Sequence, residues 1–414
     1  MFLSGWGIKA CSEKITKKKF RTIGKAISYV KDTVSTSSSA PLKRVLSGMR
    51  PTGKLHLGNF MGALHNWVRL QHEYDCYFFI ADWHALTTDY ADTSQIKSNT
   101  REVILDFLGA GLDPAHSVLF VQSDVKQHAE LHLLFSMITP LGWLERVPTY
   151  KEQQENLSGK DLSTYGFLGY PLLQSADILI YQPDFVPVGQ DQVAHVELTR
   201  EVARRFNQFY PLGPAQLLPA RPVGAEDLAN APAEFRDRFQ NATVQSLEIV
   251  EHPLYKKKFV LPEPQVLLTP SPKLPGTDGR KMSKSYGNTI LLTDPEPVVR
   301  QKLKPMVTDP ARVRRTDPGN PDICPVGDLH KVFSSQETLA KVYDGCTTAS
   351  IGCIECKGWV ADAVVQVLQP IQERRASYGQ NPKRVDEILE DGKNRATARA
   401  EQTMVEVRSA VGIG

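Results

Sequence analysis

Two short segments carry residue types suited to a polyphosphate. Gly279-Arg280-Lys281-Met282-Ser283-Lys284-Ser285 places two lysines and two hydroxyls within five residues of a glycine-bounded loop. Such a loop can close over phosphates during a reaction and offset the charge that builds as pyrophosphate departs. Alone, it reads as solvated charge. Far upstream, Gly48–Leu55 imitates the phosphate loop G-x-x-x-x-G-K, but Leu55 stands where a Ser or Thr must ligate Mg²⁺. A true P-loop is therefore rejected. His56-Leu57-Gly58-Asn59 suits another use, opening a helix whose free N–H groups and dipole face an anion. Gly58 would let an adenine or ribose lie on the backbone, and His56 and Asn59 could both point at phosphate oxygens. Paired, Pro51–Asn59 and Lys281–Ser285 predict two halves of one ATP site.

A third group is Cys324, Cys346, Cys353 and Cys356, four of the six cysteines gathered within 33 residues as C-x21-C-x6-C-x2-C. A C-x-x-C pair grips one metal centre well, and four thiolates complete a tetrahedral zinc or a cubane cluster. Reduced core thiols are the plain alternative.

These groups need elements to hold them. Arg44–Gly48, Cys76–Ala81, Ser117–Gln122 and Phe185–Val188 read as short buried strands, with helical patterns between them such as Ile96–Gly109 and Ala129–Met137. The alternation predicts a doubly wound parallel sheet that binds ligands at its carboxyl edge. Thr289–Thr293 is strand-like. From Asp294 the pattern turns helical, over Val360–Gln369, Val385–Leu389 and Ala396–Val411. Pro211–Pro275 holds 11 of the 28 prolines and reads as an extended, partly mobile surface insertion.

The charge is unevenly placed. Residues 1–44 carry ten Lys or Arg against Glu13 and Asp32, a balance of +8; with a net charge of +3, the other 370 residues sum to about −5. Global charge thus gives no case for nucleic acid. The basic, Ser/Thr-rich tail suits a transit peptide, which would send the protein to an organelle, or a solvated extension. No apolar run approaches a membrane span, and the cysteines suggest no disulfide framework, so a reducing compartment, the cytoplasm, is expected.

P-x-G-x-x-H-L-G-N followed by K-M-S-K-S resembles the two hallmark motifs of the class I aminoacyl-tRNA synthetases. Between them, Tyr170-Pro-Leu-Leu-Gln-Ser-Ala-Asp177-Ile-Leu and Val186-Pro-Val-Gly189-Gln-Asp191-Gln192-x-x-His195-x-Glu197-Leu-Thr-Arg look like the tryptophanyl branch. The likeness runs from about Val45 to the C-terminus, leaving out most of Pro211–Pro264. It implies a class I Rossmann fold at 44–293 interrupted at about 211–264, a basic extension at 1–43, a helical anticodon-binding domain at 294–390 and a C-terminal helix at 391–414. It also implies a homodimer that activates L-tryptophan with ATP and Mg²⁺ and charges tRNA(Trp).

Carried over residue by residue, the resemblance makes His56, Asn59, Lys281 and Lys284 catalytic. Arg50, Pro51, Thr52, Gly58, Asn59, Gly189, Gln190 and Asp191, with Lys281, Met282, Ser283, Lys284 and Ser285, would hold ATP, and an adenine contact is expected near Pro272–Leu274. Arg50 stands where many bacterial members have Gln. Asp177 would accept the indole N–H beside Tyr170, Gln174, His84 and Gln192. A carboxylate accepts but cannot donate, so it selects a ring bearing a donor; a phenol satisfies it too. An aspartate capping a helix is the other reading of Asp177. The cysteine spacing resembles a subset of tryptophanyl enzymes with a [4Fe–4S] cluster, and Pro325 after Cys324 echoes ferredoxin-type ligation; Zn²⁺ is the alternative.

Residues 294–414 hold 17 basic and 17 acidic side chains, so only local clustering could meet tRNA phosphates. His128-Ala-Glu-Leu-His132 has zinc-helix spacing but its Glu is misplaced for a metalloprotease, so a surface or ATP-proximal helix is expected. Two rivals stay open: a tyrosyl-tRNA synthetase, and a non-catalytic tRNA-binding or redox-sensing protein on the same fold.

Overall fold

The computed structural model describes residues 41–148, 162–211, 218–219, 255–256, 259–268 and 274–413. The expectations for the basic extension, for most of the Pro-rich insertion and for Pro272 lie outside them. Strands β1 (Arg44–Met49), β2 (Asp75–Ile80), β3 (Ser117–Val121) and β4 (Phe185–Val188) match the apolar runs within one or two residues. The short β5 (Leu218–Pro219) and β6 (Tyr255–Lys256) pair antiparallel, and β7 (Gln265–Leu268) joins the main sheet, which is all-parallel in the order β3-β2-β1-β4-β7.

The central strands are apolar throughout because both faces are covered. Cys76, Phe78 and Ile80 enter one core with Trp67 and Phe107, while Tyr77 and Phe79 enter the other with Phe120 and Tyr181. Trp67 stacks flat on Phe78, ring centroids 4.7 Å apart. The first helical stretch is composite: α1 (Leu57–Asn59), a π-helical segment (Phe60–Leu64) and α2 (His65–Leu70). It is followed by α3 (Asp82–Asp89), α4 (Ile96–Ala110), α5 (Gln127–Ile138), α6 (Leu141–Glu145), α7 (Tyr165–Leu179) and α8 (Val193–Phe209).

The C-terminal part is helical: α9 (Glu296–Leu303), α10 (Pro325–Phe333), α11 (Gln336–Thr347), α12 (Cys353–Gly379) and α13 (Pro382–Val411), which ends at left-handed Gly412. The division expected between 390 and 391 falls inside α13. That helix crosses edge strand β3 so closely that a Cβ at Gly392 would come within 1.8 Å of the Leu119 carbonyl oxygen. Val385 and Ile388 therefore enter one core, and Ala396, Ala400 and Met404 the other. The helix shields an edge that would otherwise expose unpaired backbone.

Two expectations are corrected. Gln265–Leu268, read as part of an extended insertion, is a sheet strand paired along β4. Thr289–Thr293 is no strand; it makes a single bridge, His56 to Leu291. The Asp294 carboxylate accepts the Leu291 N–H at 2.8 Å and closes the segment into a turn. Among the described residues no helix is long and apolar enough to cross a membrane.

Candidate active site

A cavity of about 340 Å³ opens at the carboxyl ends of β1 and β4, between Gly48 and Val188–Gly189. Neighbouring strands leave in opposite directions there, so the sheet offers a crevice. His84, Tyr170, Gln174, Asp177 and Gln192, the residues carried over for tryptophan, all line it. Phe79 and Ile178 supply apolar wall. Arg50, carried over to the nucleotide, lines the same cavity, and its Nη2 donates to Thr88 Oγ1 at 2.6 Å.

Asp177 is the centre of a network that sequence reasoning missed. It sits 1% exposed inside α7 rather than at a helix cap. Its Oδ1 lies 2.6 Å from His128 Nδ1 and 2.7 Å from Gln122 Nε2; its Oδ2 lies 2.8 Å from both His84 Nε2 and Gln122 Nε2. An ionised carboxylate only accepts, so each ring nitrogen facing it carries a proton. In neutral His128, Nε2 is then left to accept the Tyr181 hydroxyl proton at 2.8 Å. Burial pushes the Asp177 carboxyl up, but the bonds from His128 and His84 outweigh it and hold the group well below the usual carboxylate range. All its lone pairs are engaged, so any further donor reaching it takes the place of one already there. His128 is thus neither a surface nor an ATP-facing residue. Its place at the start of α5, shortly after β3, was the available signal.

The two phosphate segments meet beside this cavity without lining it. His56 caps α1: Nδ1 accepts the Asn59 N–H at 3.3 Å while Asn59 Oδ1 accepts the His56 N–H at 3.1 Å. Both side chains were expected to point at phosphates; each instead satisfies the other's backbone, as in a capping box. Burial, with the nearby Lys284 ammonium, lowers the His56 pKa to about 4, so the ring is neutral and Nε2–H is its remaining donor. Gly58 fits under that ring, where a Cβ would lie 2.9 Å from the imidazole.

Lys284 joins the halves. Its Nζ donates to the carbonyls of Thr52 (2.9 Å) and Gly53 (3.0 Å), and burial lowers its pKa. Met282 is buried; Lys281 and Ser285 are exposed. Asn288, not singled out in the sequence, holds the loop: Oδ1 accepts the Ser283 N–H at 2.8 Å and Nδ2 donates to Asp278 Oδ1 and the Lys281 carbonyl. Gln190 and Asp191 are exposed next to Gly189, and Gln192 Nε2 donates to Asp191 Oδ2 at 3.1 Å. Leu274, at the end of the expected adenine contact, is buried.

The cysteines gather where three helix ends converge. Cys324 caps α10, Cys346 sits in the last turn of α11, and Cys353 and Cys356 open α12. Burial pushes the Cys356 thiol up to about 12, and Cys324, Cys346 and Cys353 push it the same way; Cys346 is raised likewise. Buried His330 approaches Cys356 Sγ at 3.4 Å. Among the described residues, no three His, Cys, Asp or Glu side chains stand in metal-holding geometry.

Residues 40–225 and 237–369 match the family described as tRNA synthetases class I (W and Y). A tryptophan–tRNA ligase of Ralstonia nicotianae is 52% identical, the match covering 90% of this chain and 98% of that one. The ligase of the same name from Thermotoga maritima is 49% identical, covering 89% and 99%. Among solved structures, the tryptophanyl-tRNA synthetase of Campylobacter jejuni complexed with ADP and tryptophan superposes with a TM-score of 0.72. That protein is 28% identical, with 89% of this chain and 100% of that one covered.

Proposed function

The chain belongs to the class I tRNA synthetases for tryptophan and tyrosine, among the tryptophan–tRNA ligases, and we propose from its geometry how it performs their reaction. It activates L-tryptophan with ATP to tryptophanyl-adenylate and transfers the tryptophanyl group to tRNA(Trp). The observation that carries the residue-level reading is the convergence of Asp177, His84, Tyr170, Gln174, Gln192 and Arg50 on one cavity, next to a lysine loop clasping Thr52 and Gly53.

Indole enters between Phe79 and Ile178 and presents its N–H to the Asp177 network. Tyr170, Gln174 and Gln192 receive the polar end. ATP lies along Pro51–Asn59 under the 281–285 loop, with Gly189, Gln190 and Asp191 on its ribose, and Mg²⁺ brought in with ATP would supply further charge stabilisation. The tryptophan carboxylate, already ionised at neutral pH, attacks the α-phosphorus in line. The new carboxyl O–P bond forms as the bond to pyrophosphate breaks, and no general base is required. His56 Nε2–H, Asn59, Lys281 and Lys284 offset the departing charge. A homodimer is what the family resemblance implies, and a cytoplasmic location is what the cysteine usage suggests, with an organelle as the alternative.

ATP–pyrophosphate exchange run in parallel with each amino acid tests this. Tryptophan should support exchange and tyrosine should not. Exchange driven by tyrosine instead would move the chain to the tyrosyl branch, and exchange with neither would leave a non-catalytic fold.

For the cysteines we propose a thiolate-held centre, a [4Fe–4S] cluster with zinc as the alternative. Burial, with the neighbouring thiols, raises the Cys356 and Cys346 thiols, a strain that a cation would relieve by taking up thiolates. Gly319 leaves room for Cys346, whose Sγ a Cβ there would meet at 2.7 Å, and Arg312 Nη1 faces the same sulfur at 3.6 Å. When bound, such a centre would tie three helices together. Anaerobically purified protein should carry iron and inorganic sulfide and absorb visible light. Colourless, zinc-loaded protein would assign zinc, and metal-free protein would remove the centre.

A further inference from the structure

We propose that the C-terminal turns of α12 act as a crossbar that sets the two ATP segments against each other, with Asp106, Gln372 and Arg375 as its positioning residues. The proposal rests on reading Pro51–Asn59 and Lys281–Ser285 as the nucleotide site.

Asp106, on α4, is 0% exposed. Its Oδ2 accepts the backbone N–H of Leu55 at 2.8 Å, one residue before His56. Its Oδ1 accepts Arg375 Nε at 2.7 Å, and the same guanidinium pairs with Glu102. A carboxylate in the core is costly where an apolar side chain would pack freely, and here its compensation comes from one backbone amide and one arginine. What it gains is a fixed position for Leu55.

Gln372, three residues before Arg375 and so on the same helix face, holds the other side. Its Nε2 donates to the carbonyls of Leu292 (3.0 Å) and Asp294 (2.9 Å), just beyond the lysine loop. The two gripped backbones also bond to each other, Leu292 N to Leu55 O and Leu57 N to Ile290 O, both at 2.9 Å. α12 can reach both because it lies tight on α4: a Cβ at Gly109 would come within 2.9 Å of Arg375 Cβ and 3.0 Å of the Ile371 carbonyl. One helical turn therefore fixes where His56 and Lys284 stand. Asp106 has a second effect, since its field works against the burial that lowers the Lys284 pKa.

Tryptophan-dependent exchange, with ATP and tryptophan varied separately, tests this on Arg375→Met, Arg375→Lys, Asp106→Asn, the Asp106→Asn/Arg375→Met double variant and Gln372→Met. Each is assayed well below its own melting temperature. Arg375→Met and Asp106→Asn should lower kcat by about ten- to hundredfold and raise the KM for ATP, with the KM for tryptophan within about twofold of the parent's. The double variant should be no worse than the poorer single one, because both cut the same connection, and Arg375→Lys should recover part of the loss. Gln372→Met leaves no buried charge unpaired, so it stays informative if Arg375→Met does not fold, and should show the same split at smaller size. Folded variants with the parent's kcat, or losses that only follow the unfolded fraction, would overturn the crossbar. Lys284→Ala is run alongside. If it keeps full exchange, the ATP assignment falls and takes the crossbar with it; if only Lys284→Ala loses exchange, the crossbar alone falls.

Discussion

Lys284→Ala is expected to cut tryptophan-dependent ATP–pyrophosphate exchange by about 10²–10³-fold, the usual loss when one preorganised charge-stabilising donor is removed. Lys284 is the side chain that bridges the loop to Thr52 and Gly53, and no other lysine of the loop makes that contact among the described residues. Burial already destabilises its ammonium, so the charge is held there at a cost and is released to phosphate oxygens when they displace the two carbonyls. Tryptophan affinity should stay near the parent's, because Lys284 does not line the cavity that holds the indole candidates. Exchange measures the first property and a fluorescence titration the second. Near-parent exchange would refute the loop assignment; lost tryptophan binding would show the two sites to be one. Arginine should rescue poorly, since its planar fork does not replace a compact ammonium between two carbonyls.

Asp177→Asn should be the most damaging single-atom change in the cavity. The amide nitrogen would face a His128 or His84 N–H, leaving donors opposed in a fully buried site. Leaving buried donors unsatisfied costs about 1–3 kcal/mol, so the melting temperature should drop. Discrimination should fall with it. The parent should reject an analogue whose indole N–H is replaced by sulfur, and the variant should reject it less. A stable variant with unchanged selectivity would remove Asp177 from indole recognition. The pH dependence has a definite sign. The folded-state pKa is depressed, so this stability is fully present above the ordinary carboxylate value of about 3.9 and is lost as pH falls through the folded one. The variant should lack that component of acid unfolding.

What the sequence determined by itself was everything set by contiguous residues. The first four sheet strands announced themselves as apolar runs between turn residues, the helices as three- and four-residue apolar steps, and the two phosphate segments as motifs whose chemistry is local. The tryptophan candidates were legible by resemblance, and the cavity gathers all five. Tertiary structure decided the partnerships. β7 is a strand only because β4 offers it an edge, whereas Thr289–Thr293, of similar composition, is turned by Asp294. Asp177 finds His84 and His128 across 93 and 49 residues, and Asp106 finds Arg375 across 269. No local pattern encodes such pairs, because a buried charge is stable only when folding delivers its donor. His128, at the start of α5, reads from the sequence as part of a surface or ATP-proximal helix. The lysine loop changed in the same way: its charges were evident from Lys281 and Lys284, but which one faces the other half of the site was settled by the backbone carbonyls of Thr52 and Gly53.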